Sequence, residues 1–130
     1  MLRAASLALA ILAVPVAAAE PGGQVRVVNT APLPNVPGKS ITGVLVTYAP
    51  GGRSPAHHHA GSVMAFVLAG AIRSENSATG PARVYHAGES FFEPPGSEHL
   101  VSENASATEP ASLLAVFVAD DGAELTHFDR

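Results

Sequence analysis

From Glu20 onward, no stretch of the chain spaces its apolar residues as an amphipathic helix would. Short runs rich in Val, Ile, Phe and Tyr recur about every ten residues, broken by clusters of Gly, Pro, Asn and Ser. A chain punctuated so often can build short strands and tight turns, so the expected fold class is all-β. Strands are expected over Val25 to Val28, Ile41 to Tyr48, Val63 to Leu68, Ala71 to Ser74, Ala82 to Tyr85, Ser90 to Glu93, Leu100 to Glu103 and Leu113 to Val118. The stretch from Asn29 to Ser40 carries Pro32, Pro34 and Pro37. It is expected to be extended or loop-like, because proline cannot donate to a central ladder.

The 130 residues suffice for one domain. Their first nineteen read as a secretory signal peptide: a basic start at Arg3, a short apolar run, and small residues with Ala17 and Ala19 at the cleavage positions. The other reading, a membrane anchor, needs about 20 apolar residues and this run is shorter. Cleavage after Ala19 removes one of seven basic residues and none of eleven acidic ones, so the net charge moves from -4 to -5. That balance excludes nucleic acid as the expected partner, and no membrane contact is expected once the leader is gone. Secretion or periplasmic location would permit disulfides, yet the chain has no cysteine and must rely on core burial. The organisation expected is a signal peptide at 1–19, an N-terminal strand and proline-rich arm at 20–40, a barrel at 41–120 and a tail at 121–130.

Half of the six histidines stand together at His57, His58 and His59. Successive strand residues point to opposite faces, so His57 and His59 share a face and His58 looks away from it, toward solvent. Two imidazoles on one face can grip a metal. A third is delivered by the stretch from Gly88 to Asn104, where Pro94, Pro95 and Gly96 form a rigid turn just before His99. His86 and His127 fall outside these stretches and are expected at the surface. Glu98 is expected to face away from His99.

These residues resemble the cupin superfamily, in particular its small single-domain, type-2-like members. The first motif of that family, GxxxxxHxHxxxExxxxxxG, is matched by Gly51, His57, His59 and Gly70, with Val63 standing where the family has its acid. The second, GxxxxxPxGxxHxxxN, is matched by Gly88, Pro94, Gly96 and His99, with Glu103 in the asparagine place and Asn104 one residue later. The resemblance implies a double-stranded β-helix, a jelly-roll barrel, holding one divalent transition metal through His57, His59 and His99. Neutral imidazoles alone do not select among Fe, Zn, Cu, Ni and Mn. The other reading of the histidines is a polar patch left in a degenerate barrel.

Val63 lies four residues after His59, on the same strand face, so an aliphatic wall is expected where a carboxylate would otherwise neutralise part of the metal's charge. Such a site should recruit an anionic oxygen from its substrate. Glu93, just before the double proline, is the candidate for a fourth ligand or a catalytic base, against the alternative of a surface salt bridge. Val63, Ala65 and Val67 share the histidine face and are expected to line the pocket. Met64, Phe66 and Leu68 share the other face, and the continuous apolar run implies that both are covered. A homodimer, with the arm at 29–40 crossing to the partner, or an ordinary core would provide that cover.

Two function classes follow. One is a metal-dependent enzyme, dioxygenase-like by family resemblance, acting on a small anionic or enolisable organic substrate. The other is a non-catalytic exported cupin that binds a small ligand or holds metal.

Overall fold

Alternation of side chains, repeated strand after strand, produces two antiparallel sheets in the computed structural model, which describes residues 22–129. The expected leader and its cleavage site after Ala19 lie outside the described residues. The strands are β1 (Gln24–Pro32), β2 (Lys39–Tyr48), β3 (Arg53–Ser54), β4 (His57–His59), β5 (Ser62–Ala69), β6 (Ala71–Asn76), β7 (Gly80–His86), β8 (Ser90–Glu93), β9 (Glu98–Asn104), β10 (Ala111–Asp120) and β11 (Thr126–Phe128). One sheet runs β1-β2-β10-β5-β8 and the other β11-β4-β9-β6-β7, with β3 also paired to β9. No helix is present among the described residues, and the architecture is the all-β jelly roll expected.

In β10 the alternation is complete. Ala111, Leu113, Ala115, Phe117 and Ala119 are buried, while the residues between them are only partly covered. The same parity puts Val44 and Tyr48 of β2 and Val63, Ala65 and Val67 of β5 into one core with Ile72 from the facing sheet. Inward faces of both sheets therefore fill the barrel, as sandwich packing requires.

The stretch from Asn29 to Ser40 is extended at both ends with a turn between: Asn29 to Pro32 extend β1, and Lys39 and Ser40 open β2. Its prolines fit because β1 is an edge strand, with Pro32 at its end, and Pro34 and Pro37 lie in the connecting turn. That turn is closed by the Leu33 N–H donating to the Lys39 carbonyl at 2.8 Å. The arm thus folds back on its own chain as the β1–β2 hairpin. The 121–130 tail includes β11, which pairs with β4 and is part of the site.

The outer face of β5 is also uncovered by the described residues. Met64 is 50% exposed, Phe66 38% and Leu68 46%, while Val63, Ala65 and Val67 on the inner face are buried. The apolar run reflects one core face and one open face, and neither Met64 nor Phe66 belongs to an ordinary core.

Gly61 joins β4 to β5 where β10 passes close by. A Cβ on Gly61 would lie 2.1 Å from the Val118 carbonyl oxygen and 2.7 Å from the Ala119 Cβ. Backbone oxygen cannot swing away as a flexible side chain can. Gly61→Ala is expected to lower stability by about 1–3 kcal/mol, read as a fall in the urea midpoint with an unchanged slope.

Candidate metal centre

The site begins with the turn before the histidine strand. Gly52 N–H donates to Ala49 O at 2.8 Å, and the Asn104 side-chain amide spans to the Ala49 and Glu109 carbonyls at 3.1 and 2.7 Å. This tie fixes where β3 and β4 enter the sheet. In β4, His57 and His59 turn inward and are buried, while His58 between them is half-covered. His58 meets Asp129 at 3.4 Å and stacks on His127, away from the cavity.

His99 comes from β9, directly opposite His57 in the register. The turn that delivers it is closed by Ser97 N–H donating to Pro94 O at 3.1 Å, with Pro95 and Gly96 at the corner and Gly96 at φ 72°. The Gly96 N–H also donates to His59 O at 3.0 Å, stitching this turn to the first histidine strand. Just after His99 the register slips: Asn76 faces His99 and Glu75 faces Val101, leaving Leu100 as an extra residue. The bulge lets His99 and Ser102 both point inward, which strict alternation would forbid.

One ligand nitrogen from each of His57, His59 and His99 lies within 4.8 Å of the others, and all three side chains are buried. Their opposite nitrogens are anchored. His57 Nδ1 is 2.7 Å from Pro55 O, and His59 Nδ1 is 3.0 Å from Leu125 O and 3.2 Å from Thr126 Oγ1. A carbonyl can only accept, so both rings carry their proton on Nδ1 and turn a lone pair on Nε2 toward the interior. His99 Nε2 is 2.8 Å from Ser74 Oγ. Glu98 is exposed, on the other side of the strand from His99.

Glu93, a surface salt bridge on one reading of the sequence, is 3% exposed. Its Oε1 lies 2.8 Å from His99 Nδ1 and its Oε2 3.7 Å from His59 Nε2. The contact with His99 lacks the alignment of a hydrogen bond, so His99 Nδ1 is a buried polar atom without a hydrogen-bonding partner. Asn76 steadies the carboxylate from 3.5 Å and is itself bound to Ser97 Oγ at 2.9 Å.

Burial lowers the pKa of His57 and of His59 below the ordinary imidazole value, outweighing the opposing pull of nearby acceptors and of Glu93. Burial pushes Glu93 upward, but the close His99 contact and the histidine charges win and hold its carboxyl below the usual range. Imidazole nitrogens converging beside a carboxylate, with the buried His99 Nδ1 left without a hydrogen-bond partner, are the donor types that suit a divalent metal.

These groups form one wall of a cavity of about 280 Å³. The rest is largely apolar, with Val44, Val46, Leu113, Ala115 and Phe117 among its lining, and among the described residues no lysine or arginine lines it. Of the three pocket residues expected from parity, Ala65 lines the cavity. Val63 and Val67 do not, although all three face inward. Val63 sits between its register partners Phe117 on β10 and Glu93 on β8, both of which line the cavity. Val67 lies deeper in the core cluster.

Several site residues escaped the sequence reading. Tyr48 lines the cavity, and its hydroxyl lies 2.7 Å from Ser54 Oγ and 2.9 Å from Ser102 Oγ. Thr126 and Phe128 arrive on β11, with the Phe128 ring 5.7 Å from that of His57. The alternating Thr-His-Phe of residues 126–128 was the available signal, but three residues are too few to mark a strand.

Residues 44–117, more than half of the chain, match the family described as the Cupin domain. The chain is similar in structure to an uncharacterized conserved protein with a double-stranded beta-helix domain from Klebsiella pneumoniae, at 21% identity, 84% of this chain, 86% of that chain and a TM-score of 0.64. It is similar also to recombinant oxalate oxidase in complex with glycolate (23% identity, 83% of this chain, 55% of that chain, TM-score 0.63). A third likeness is to the DMSP lyase DddQ from Ruegeria pomeroyi (22% identity, 68% of this chain, 42% of that chain, TM-score 0.59). The chain spans about half the length of these last two, and at such identities the likeness carries the fold. No curated protein matches the sequence. The family match and the shared barrel establish that the chain belongs to the cupin family.

Proposed function

We propose that the protein binds one divalent transition metal, Fe, Zn, Cu, Ni or Mn, through His57, His59 and His99, and acts as an enzyme on a small anionic or enolisable organic substrate with dioxygenase-like chemistry. The observation that carries this reading is the convergence of three buried ligand nitrogens within 4.8 Å on the wall of an apolar cavity. A metal held there supplies Lewis acidity to an oxygen of the substrate and, if redox-active, a route for electrons to dioxygen.

The chain's own residues restrict what can enter. With no cationic side chain and a single carboxylate, Glu93, on the wall among the described residues, a second negative charge on the substrate would find no partner there. The aliphatic and aromatic lining favours a compact, mostly apolar body carrying a single ionisable oxygen. Tyr48 offers that body one hydroxyl, oriented by Ser54 and Ser102.

The second reading, a non-catalytic small-ligand or metal-binding cupin, draws on the same wall: among the described residues, no acid or base beyond Glu93 and Tyr48 lines it apart from the histidines. Oxygen uptake and product formation by singly metallated protein, assayed against phenols, diketones and enolisable acids, separate the two. Turnover supports the enzyme, and stoichiometric metal without turnover on any of them supports the binder.

The leader-like first nineteen residues support secretion or a periplasmic location, checked by the N-terminal mass of protein from that fraction. The open apolar face of β5 supports a homodimer, checked by sedimentation.

His99→Ala is expected to abolish tight binding of Zn(II) in calorimetry, and His58→Ala to leave it nearly intact. Equal losses would contradict the division of β4 into an inner and an outer face.

Metal-free protein should also show a pH signature. Folding holds His57 and His59 below the 6.5 of an ordinary imidazole. Their contribution to stability is therefore complete above that pH and is lost as pH falls from it through the folded values. The melting temperature in chelator should drop between about pH 7 and pH 5, with a shallower slope in a His57→Gln/His59→Gln double variant.

A further inference from the structure

We propose that Glu93 is the fourth, anionic ligand of the metal centre, filling from strand β8 the place that the family motif gives to residue 63 on strand β5. The inference rests on the three-histidine site proposed above.

Two observations carry it. The first is register: β5 and β8 are antiparallel neighbours in which Val63 and Glu93 are directly opposed. Side chains opposed in this way start about 5 Å apart and project from the same sheet face. A longer side chain at 93 can therefore reach the point that one at 63 would reach, and a short one at 63 leaves it room. The exchange keeps the volume of one glutamate and one valine while moving the acid across one ladder.

The second is donor spacing. Metal bonds to nitrogen and carboxylate oxygen near 2.1 Å put adjacent donors roughly 3 Å apart around one ion. Glu93 oxygens lie 2.8 Å from His99 Nδ1 and 3.7 Å from His59 Nε2. His99 Nδ1 is buried and without a hydrogen-bond partner, while a Glu93 oxygen stands at donor spacing from it. Pro94 restrains the backbone of Glu93 to extended geometry, and Asn76 holds its carboxylate, so the aim is fixed from two sides.

Calorimetry with Zn(II) alone and visible absorption with Co(II) test the assignment on the purified chain. Glu93→Gln is expected to weaken Zn(II) binding about 10- to 100-fold and to change the Co(II) absorption envelope. Glu93→Val should weaken binding at least as much, and the exchanged variant Val63→Glu/Glu93→Val should recover most of the loss. Wild-type affinity and an unchanged Co(II) spectrum in Glu93→Gln would overturn the proposal. An exchanged variant that melts as the wild type does, yet binds no better than Glu93→Val, would overturn the positional exchange; if that variant does not fold, the Glu93→Gln result decides. Wild-type protein that takes up neither metal would refute the three-histidine reading itself, a different result from a Glu93 variant that binds normally.

Discussion

A carboxylate almost wholly removed from water and set among three buried imidazoles has to be held against its own solvation. The molecule is organised around that requirement. His57 leans on Pro55, His59 on Leu125 and Thr126, His99 on Ser74, and Glu93 on Asn76. The supports come from strands of one sheet and from the loops that bracket them, while Glu93 itself hangs from the edge of the other sheet. Closing the barrel and assembling the donors are therefore one event. Loosening any support leaves a buried polar atom without a partner, which is more harmful than losing an average hydrogen bond.

The barrel and its histidines were legible because each depends on local information. Strand alternation put His57 and His59 on one face and His58 on the other, and the Pro-Pro-Gly corner announced the delivery of His99. Glu93 was legible only as an open alternative, since its inward aim follows from which strand lies beside β5. That pairing joins segments some thirty residues apart and leaves no mark in either one. The bulge at Leu100 is hidden for the same reason: it exists only relative to β6.

Other segments carry patterns that two structures can share. The run from Val63 to Leu68 looks like a strand buried on both faces, yet only alternate residues enter the core. Side-chain polarity reports what a face tolerates, and cover is a property of neighbours. The prolines before β2 looked like a free arm because proline is a poor ladder donor. An edge strand and its turn ask for no donors on the outer side, so the hairpin accommodates them. Residues 126–128 were too brief to read as a strand, although they clasp the back of His59 and bring Phe128 to His57.

Placing the acid at 93 also changes what the centre asks of its ligand. With Val63 alone in view, a divalent ion among neutral rings keeps both charges and calls for strongly anionic partners. With Glu93 beside it, one charge is already balanced and a single anionic oxygen completes neutrality. The surrounding wall agrees, since among the described residues it offers aliphatic and aromatic surface and the hydroxyl-bearing Tyr48, Ser54, Ser102 and Thr126 but no guanidinium or ammonium. In an apolar enclosure an unmatched charge is more costly than in water. With Glu93 as the proposed fourth ligand, a preference for singly charged, largely apolar molecules would follow from the charge count of four side chains, before any shape is considered.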